Sequence, residues 1–360
     1  MSNGLDDVIA AETALSDVDG LAGQLIIRGR ALEELVGKVR YEEVLGLLLS
    51  GLFDAVDASA LPAALGRARQ QIFARARGDL PPDLPVVDAV RVLIAGLEDG
   101  DDLADALALV AAPAVFAPAV IRHRRGEAPI APDASLGHAA DILRMLHGRS
   151  PSEEETAALD AYLVTVCDHG LNASTFAARV VASTHAGLTS SVLAALSALK
   201  GPLHGGAPGP VLDMFDAIER PEAAEAWLNE ALERGERVMG FGHRVYRVRD
   251  PRADALREAG ERLVRRAGDS GGRYALAGAI EMAALKALAD RKPGRPLKTN
   301  VEFYTALLLE ALGFPRESFT LVFAMGRVGG WIAHAREQAL FGRLLRPQSK
   351  YIGPRPDRAA

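Results

Sequence analysis

The chain has 360 residues, 49% of them hydrophobic and only 5% aromatic, and carries a formal net charge of −6. That length accommodates two or three domains and a large core, and the negative balance argues against a general nucleic-acid binder. The single cysteine, Cys167, rules out an internal disulfide and a multi-thiolate metal site.

The first seven residues are acidic where a signal peptide would be basic and then apolar. No run reads as the ~18 apolar residues that a membrane span needs, so a cytoplasmic protein is expected. Ala and Leu outnumber β-branched and aromatic residues, which predicts helices rather than sheets. Residues 7–29 alternate short apolar pieces with turn signals at Asp19-Gly20 and Ala22-Gly23, the pattern of a small hairpin. Helices are predicted at 31–50, 61–77, 86–98 and 102–121, punctuated by Pro and Gly clusters. Ser152 followed by Glu155 is a capping box opening a helix that runs to about Asp168.

A single long helix is expected over 174–199. Ala178, Ala182, Ala186, Ser190 and Ala194 form one stripe of small residues, with Gly187, Ser191 and Ala195 beside it. Such a stripe admits a second helix, either within the chain or from a second copy. Residues 202–213 read as a Pro/Gly-rich hinge. Helices then follow at 221–234, 252–267, 272–290, 302–312 and 318–341, and the tail 346–357 is expected to lie across a surface. The chain reads as almost wholly α-helical.

Two fragments set a histidine among glycines: Leu203-His204-Gly205-Gly206-Ala207 and Gly240-Phe241-Gly242-His243-Arg244-Val245-Tyr246. Close approach of a ligand to backbone explains such glycines. A third segment, Asn300-Val301-Glu302-Phe303-Tyr304, adds a carboxylate in an apolar stretch. Two histidines and a carboxylate can move protons at neutral pH without a metal or cofactor. Arg244, Arg247, Arg249 and Arg252 follow His243, and Asp250-Pro251 breaks that basic run, an arrangement suited to carboxylates or phosphates. Arg327, Trp331 and His334 share one helix face. Gly326, Gly329 and Gly330 lie in the same stretch, each costing about 1 kcal/mol against Ala, so either tight packing or a ligand-binding Arg must compensate. His169, near a helix C-terminus, has the default role of answering the dipole. The histidines lack metal-ligand spacing, and no phosphate-binding loop, GxGxxG or nucleophile elbow occurs.

Taken together, these segments resemble the citrate synthase family over nearly the whole chain. The matching series runs from Gly4-Leu5-Asp6-Asp7-Val8 through Asp168-His169-Gly170-Leu171-Asn172, the two histidine fragments, Asp250-Pro251-Arg252, Met325-Gly326-Arg327, Gly330-Trp331-Ile332-Ala333-His334 and Arg346-Pro347. The resemblance implies a mostly helical homodimer, with a large domain of residues 1–205 and 314–360 and a small, mobile domain of 206–313. It draws the small-residue stripe towards the dimer interface. The implied reaction is a Claisen-type condensation of acetyl-CoA with oxaloacetate, followed by thioester hydrolysis, with no permanently bound cofactor and no membrane or nucleic-acid partner.

Carried over residue by residue, His204 is similar to the histidine on the thioester oxygen, His243 to the one on the ketone, and His169 to a further substrate ligand. Arg252, Arg327 and Arg346 match carboxylate-binding arginines, the last donated across the dimer. The family's base is usually an aspartate, and here it is Glu302. The extra methylene moves the carboxylate by about 1.3 Å on a fixed backbone, and a shift near 1 Å can cost roughly a hundredfold in rate. Arg295 and Lys298, in a basic segment ahead of the base, are candidates for CoA phosphates. The chain begins near the family's first shared motif, so a dimer without NADH control is expected. Two alternatives stand beside the acetyl-CoA reading: a 2-methylcitrate synthase using propionyl-CoA, and a weakened paralogue that binds oxaloacetate or CoA as a sensor.

Overall fold

The computed structural model describes residues 5, 8–54, 56–76, 80–81, 83–204, 208–243, 245–246, 248–266, 272–291, 294 and 297–354. The hairpin is present near the N-terminus. Strand β1 (Ser16–Asp19) pairs antiparallel with β2 (Gln24–Ile27), Ser16 opposite Ile27 and Asp19 opposite Gln24, and β3 (Arg30–Ala31) adds a third, short strand. The Asp19 carboxylate accepts from the Leu21 and Ala22 amides at 2.9 and 2.8 Å, which is the Asx geometry that starts such a turn.

The remaining elements are helical. The expected helix over 31–50 is in fact two, α1 (Leu32–Leu35) and α2 (Tyr41–Leu49). Gly37 stands between them at φ +70°, and the Asp160 carboxylate accepts from the Tyr41 amide at 3.0 Å, so α2 starts afresh. Next come α3 (Leu61–Ala76), α4 (Val86–Ala95), α5 (Leu103–Arg124), α6 (His138–His147) and α7 (Glu153–Val166). Ser152 opens α7 with the expected box: its hydroxyl accepts from the Glu155 amide at 3.1 Å, and Glu155 accepts from the Ser152 amide at 2.7 Å. Helix α5 corrects one reading of the sequence, because by length and composition it could cross a membrane. In this fold it is instead a core element, its residues buried continuously from Leu109 to Ile121 and packed on α3, α4, α6 and α9.

The long helix expected over 174–199 is a pair, α8 (Ala173–Ala182) and α9 (Leu188–Leu199), folded against each other. His185 and Gly187 have φ of +59° and +96°, and a Cβ at Gly187 would stand 2.4 Å from Asp99 Oδ1. That same carboxylate accepts from the Ser190 amide at 2.9 Å and so caps α9. Ala178 and Ala182 on α8, and Ser191 and Ala195 on α9, are buried and serve a helix pair within the chain, while Ala186 is exposed and Ser190 and Ala194 are half-buried.

The hinge expected over 202–213 is shorter, since helix α10 (Pro208–Ile218) already begins at its middle. A 3-10 turn (Pro221–Ala223) leads to α11 (Ala224–Glu233), then α12 (Pro251–Arg266), α13 (Gly272–Arg291), α14 (Val301–Ala311) and α15 (Phe319–Phe341). Helix α15 is the axis of the core, buried from Leu321 to Ala335 against α2, α5, α7, α8 and α9. Helix α12 joins α14 to α7, which brings the 240–302 region against the rest.

Burial raises the Asp160 carboxyl from 3.8 to about 7, against the Tyr41 amide that favours its charge. Between about pH 4 and 7 the folded chain therefore holds a proton that the unfolded chain has released, and stability falls as pH rises through that window. Asp160→Asn keeps an oxygen for the Tyr41 amide and removes the titration. We expect it to add about 1–2 kcal/mol of stability at pH 8 and little at pH 4, read by urea unfolding at both pH values.

Candidate active site

The loop carrying His243 is fixed by a short backbone pairing with the start of α14. Phe241 bridges to Thr299, the Asn300 amide donates to Gly240 O at 3.0 Å, and the Gly242 amide donates to Lys298 O at 2.7 Å. Asn300 then links both sides of the site. Its Nδ2 donates to Gly242 O at 2.9 Å, while its Oδ1 accepts from the Glu302 amide at 3.2 Å and caps α14. Gly240 and Gly242 have φ of +85° and +88°. A Cβ at either would meet Phe303 at 2.8 Å or Leu297 at 3.0 Å, so these glycines answer the chain's own packing rather than a ligand.

Four groups converge beyond this loop. The His169 and His243 rings stand 5.5 Å apart edge to face, and Tyr246 lies 4.8 Å from His243 and 5.6 Å from His169. The Tyr246 hydroxyl is 3.3 Å from His169 Nε2. His243 Nδ1 accepts from the Val245 and Tyr246 amides at 3.0 and 3.1 Å, so the neutral ring carries its proton on Nε2. That nitrogen lies 3.3 Å from Arg252 Nη2, itself a donor. Two donors so close need an acceptor between or beside them, and a carboxylate or ketone oxygen fits.

Arg252 is buried and paired with buried Asp250, Nε to Oδ1 at 3.0 Å and Nη2 to Oδ2 at 2.8 Å. Burial, reinforced by Arg252, holds His243 down at about 4. His169 is depressed well below 6.5 by burial, with Arg252, Arg327 and His243 adding to it. The carboxyl of Glu302 is pushed above 4.5 by burial, while Arg252 pulls it back, and its buried Oε2 has no hydrogen-bond partner. An unpartnered carboxylate oxygen beside a cation is the state in which a base accepts a proton.

Arg327, Trp331 and His334 lie on one buried face of α15, as the sequence implies, but they do three different things. Arg327 donates from Nε to Val166 O at 2.5 Å, stacks on Phe323 at 4.8 Å and leaves Nη2 unpartnered. Burial pushes its guanidinium down to about 10. Trp331 Nε1 donates to Ser174 Oγ at 3.1 Å, and His204 Nε2 meets the same oxygen at 2.8 Å. His334 is structural: Nδ1 accepts from Arg179 Nε at 3.0 Å, and Nε2 donates to Asp168 Oδ2 at 3.2 Å. The α15 glycines follow from packing. A Cβ at Gly326 would meet Val166 at 2.5 Å, and one at Gly330 would meet Cys167 O at 2.3 Å.

His169, His243, Arg252, Arg327 and Glu302 are thus gathered in one neighbourhood, with His204 joined through Ser174 to the α15 face. Helix α7 ends at Val166, and the His169 ring beyond it meets His243 and Tyr246. Lys298 is exposed, and its carbonyl serves the loop pairing. Arg346 is exposed on the segment after α15, outside this group. Gly205, Gly206, Arg244, Arg247 and Arg295 fall outside the described residues. Among the described residues no group of three or more His, Cys, Asp or Glu could hold a metal.

Ser174, Tyr246, Asp250 and Asn300 belong to this neighbourhood, although the sequence reading gives none of them a role of its own in the site. Asp250 had a usable signal, an acid just before the first turn of a helix whose second residue is Arg252. Tyr246 and Ser174 had none, because their partners are distant in the chain. By NMR titration the His243 imidazole should stay neutral down to about pH 4. Arg252→Gln should move its titration upwards, because the neighbouring cation is removed.

The family model described as "Citrate synthase, C-terminal domain" matches residues 4–348. The citrate synthase of Haloferax volcanii is 39% identical over 372 residues, covering 98% of this chain and 96% of that protein. A 2-methylcitrate synthase of Mycobacterium tuberculosis is 35% identical over 366 residues, covering 98% and 91%. Among solved structures, the Thermoplasma acidophilum citrate synthase in ternary complex with carboxymethyl coenzyme A and oxaloacetate superposes with a TM-score of 0.87. Its identity is 29%, and the match covers 100% of this chain and 98% of that one. With a match over nearly its whole length and a site assembled from the residues that carry the likeness, the chain belongs to the citrate synthase family.

Proposed function

We propose that the protein is an enzyme that condenses acetyl-CoA with oxaloacetate and hydrolyses the resulting thioester, releasing citrate and CoA. The observation that carries this is the convergence of two donors, His243 Nε2–H and the Arg252 guanidinium, beside a desolvated Glu302 carboxylate. In this reading Glu302 takes a proton from the acyl methyl group. A carboxylate is too weak a base to do so unaided, so the enol oxygen must be stabilised in the same step.

His204 is the group we assign to that oxygen. Asn172 Oδ1 already accepts the Ser174 and Thr175 amides, both at 3.1 Å. The Ser174 hydroxyl is also within donating reach of Asn172 Oδ1 at 2.8 Å, the same distance as to His204 Nε2; in the tautomer we assign, its proton turns to Nε2 and the ring carries its own on Nδ1. His243 then polarises and protonates the ketone as the new bond forms. His169, Arg252 and Arg327 take up the negative charge of oxaloacetate, the unpartnered Arg327 Nη2 being the free donor.

The same reading gives a small domain over about 206–313 that closes on the substrates, and a cytoplasmic homodimer in the tricarboxylic acid cycle. The exposed Arg346 would complete the site of a second copy. Arg295 and Lys298 would meet the CoA phosphates, and no resident cofactor is required. The likeness to a 2-methylcitrate synthase supports a second reading, in which propionyl-CoA is the donor.

The test is release of free CoA thiol from purified protein given oxaloacetate with acetyl-CoA or, in parallel, propionyl-CoA. Faster turnover of acetyl-CoA supports the first reading and faster turnover of propionyl-CoA the second. No thiol from either donor, with oxaloacetate still bound, would leave a sensor. Glu302→Gln is expected to lower kcat by about 10²–10⁴-fold. In the wild type, kcat/KM should fall as pH drops through the raised Glu302 pKa, so the acid limb should lie above pH 4.5.

A further inference from the structure

The N-terminal hairpin touches both loops that carry the paired histidines. On one side the Ser16 hydroxyl donates to Asp168 Oδ2 and accepts from the Gly170 amide at 3.0 Å, gripping the turn on either side of His169. On the other, the hairpin turn presses on the backbone after His243. A Cβ at Gly20 would stand 2.3 Å from Val245 O and 2.7 Å from Val245 C, and one at Gly23 would stand 2.7 Å from Val248 Cγ2.

Gly20 is not among the glycines with a left-handed φ, so this contact, rather than its own backbone conformation, accounts for its missing side chain. Val245 is held on both sides. Its amide is one of the two donors that fix His243 Nδ1, and its carbonyl lies under Gly20. The hairpin between these contacts is stiffened by the β1–β2 pairing and by the Asp19 carboxylate across the turn.

We propose that this hairpin is a strut that sets the separation of His169 from His243, and that Ser16 and Gly20 are positioning residues for the 2-oxo acid half of the site. The name of the ligand rests on the function proposed above; the strut itself does not. Removing the contact at either end lets one histidine drift. Misplacement of a positioned group by about 1 Å is expected to cost up to a hundredfold. Among the described residues the Ser16 hydroxyl bonds to Asp168 and Gly170, and not to the His204–Ser174 pair.

The experiment compares Gly20→Ala, Ser16→Ala and Ser16→Thr with wild type. Oxaloacetate affinity is measured by calorimetry, acyl-CoA KM by thiol release, and the rate of diethyl pyrocarbonate modification at each histidine by peptide mass. Gly20→Ala should weaken oxaloacetate binding about tenfold and change the modification rate of His243, with acyl-CoA KM and the His204 rate nearly unchanged. Ser16→Ala should act likewise at His169, and Ser16→Thr, which keeps the hydroxyl, should restore it. Unchanged oxaloacetate affinity and histidine rates in folded Gly20→Ala would overturn the strut, as would equal weakening of both substrates. If Gly20→Ala does not fold, the Ser16 pair decides by the same criteria. If wild type binds no oxaloacetate, the proposed function fails while the modification rates still decide the strut.

Discussion

A buried anion offsets the cost of burying a guanidinium, and the Asp250–Arg252 pair is the match on which this site depends. Desolvating either charge alone costs several kcal/mol, so the two are held together by the first turn of α12. Once Arg252 is fixed and charged, its neighbours follow. It adds to the burial that keeps His169 and His243 neutral, and it lowers the Glu302 carboxyl against the burial that raises it. Burial is the larger influence on all three groups, and this one cation modulates each of them.

The second arginine, Arg327, gains its place through missing side chains. Gly326 and Gly330 let α15 lie against the end of α7 and the turn that follows, at distances where a Cβ would collide with Leu163, Val166 or Cys167. The glycines cost helix propensity, which dispersion contacts across the close approach offset. The gain in position is specific: Arg327 reaches Val166 O with one nitrogen and keeps another unpartnered. The Arg179–His334–Asp168 chain behind it holds the same turn from the other side. Packing and charge placement are here two consequences of one set of small residues.

Glu302 stands where the resemblance leads one to expect an aspartate. Asn300 caps α14 and ties it to the His243 loop, so the backbone beneath the carboxylate is fixed by the same residue that fixes its histidine neighbour. The longer side chain must therefore be accommodated by rotamer within a site whose frame does not yield easily. Its unpartnered oxygen is free to take a proton, as the proposed role requires.

The sequence by itself determined the helical class, the hairpin, most helix boundaries and the identities of the charged and imidazole groups. These depend on local propensity, capping and turn chemistry, as at Ser152, Asp19 and Pro251. It could not distinguish one long helix from two over 174–199, because the stripe of small residues has the same period whether it packs against another chain or folds back on itself. The left-handed turn at His185 and Gly187 is held by Asp99, far away in the chain. Nor could it assign roles along the α15 face, where Arg327, Trp331 and His334 share a period but meet different partners. Those partners, Val166, Ser174 and Asp168, are brought there only by packing, and so are the contacts of Tyr246 with His169 and of Gly20 with Val245. Proton positions, pKa shifts and the distances between the histidines are properties of neighbours, some local, as around His243, and some distant in the chain, as between His169 and Tyr246.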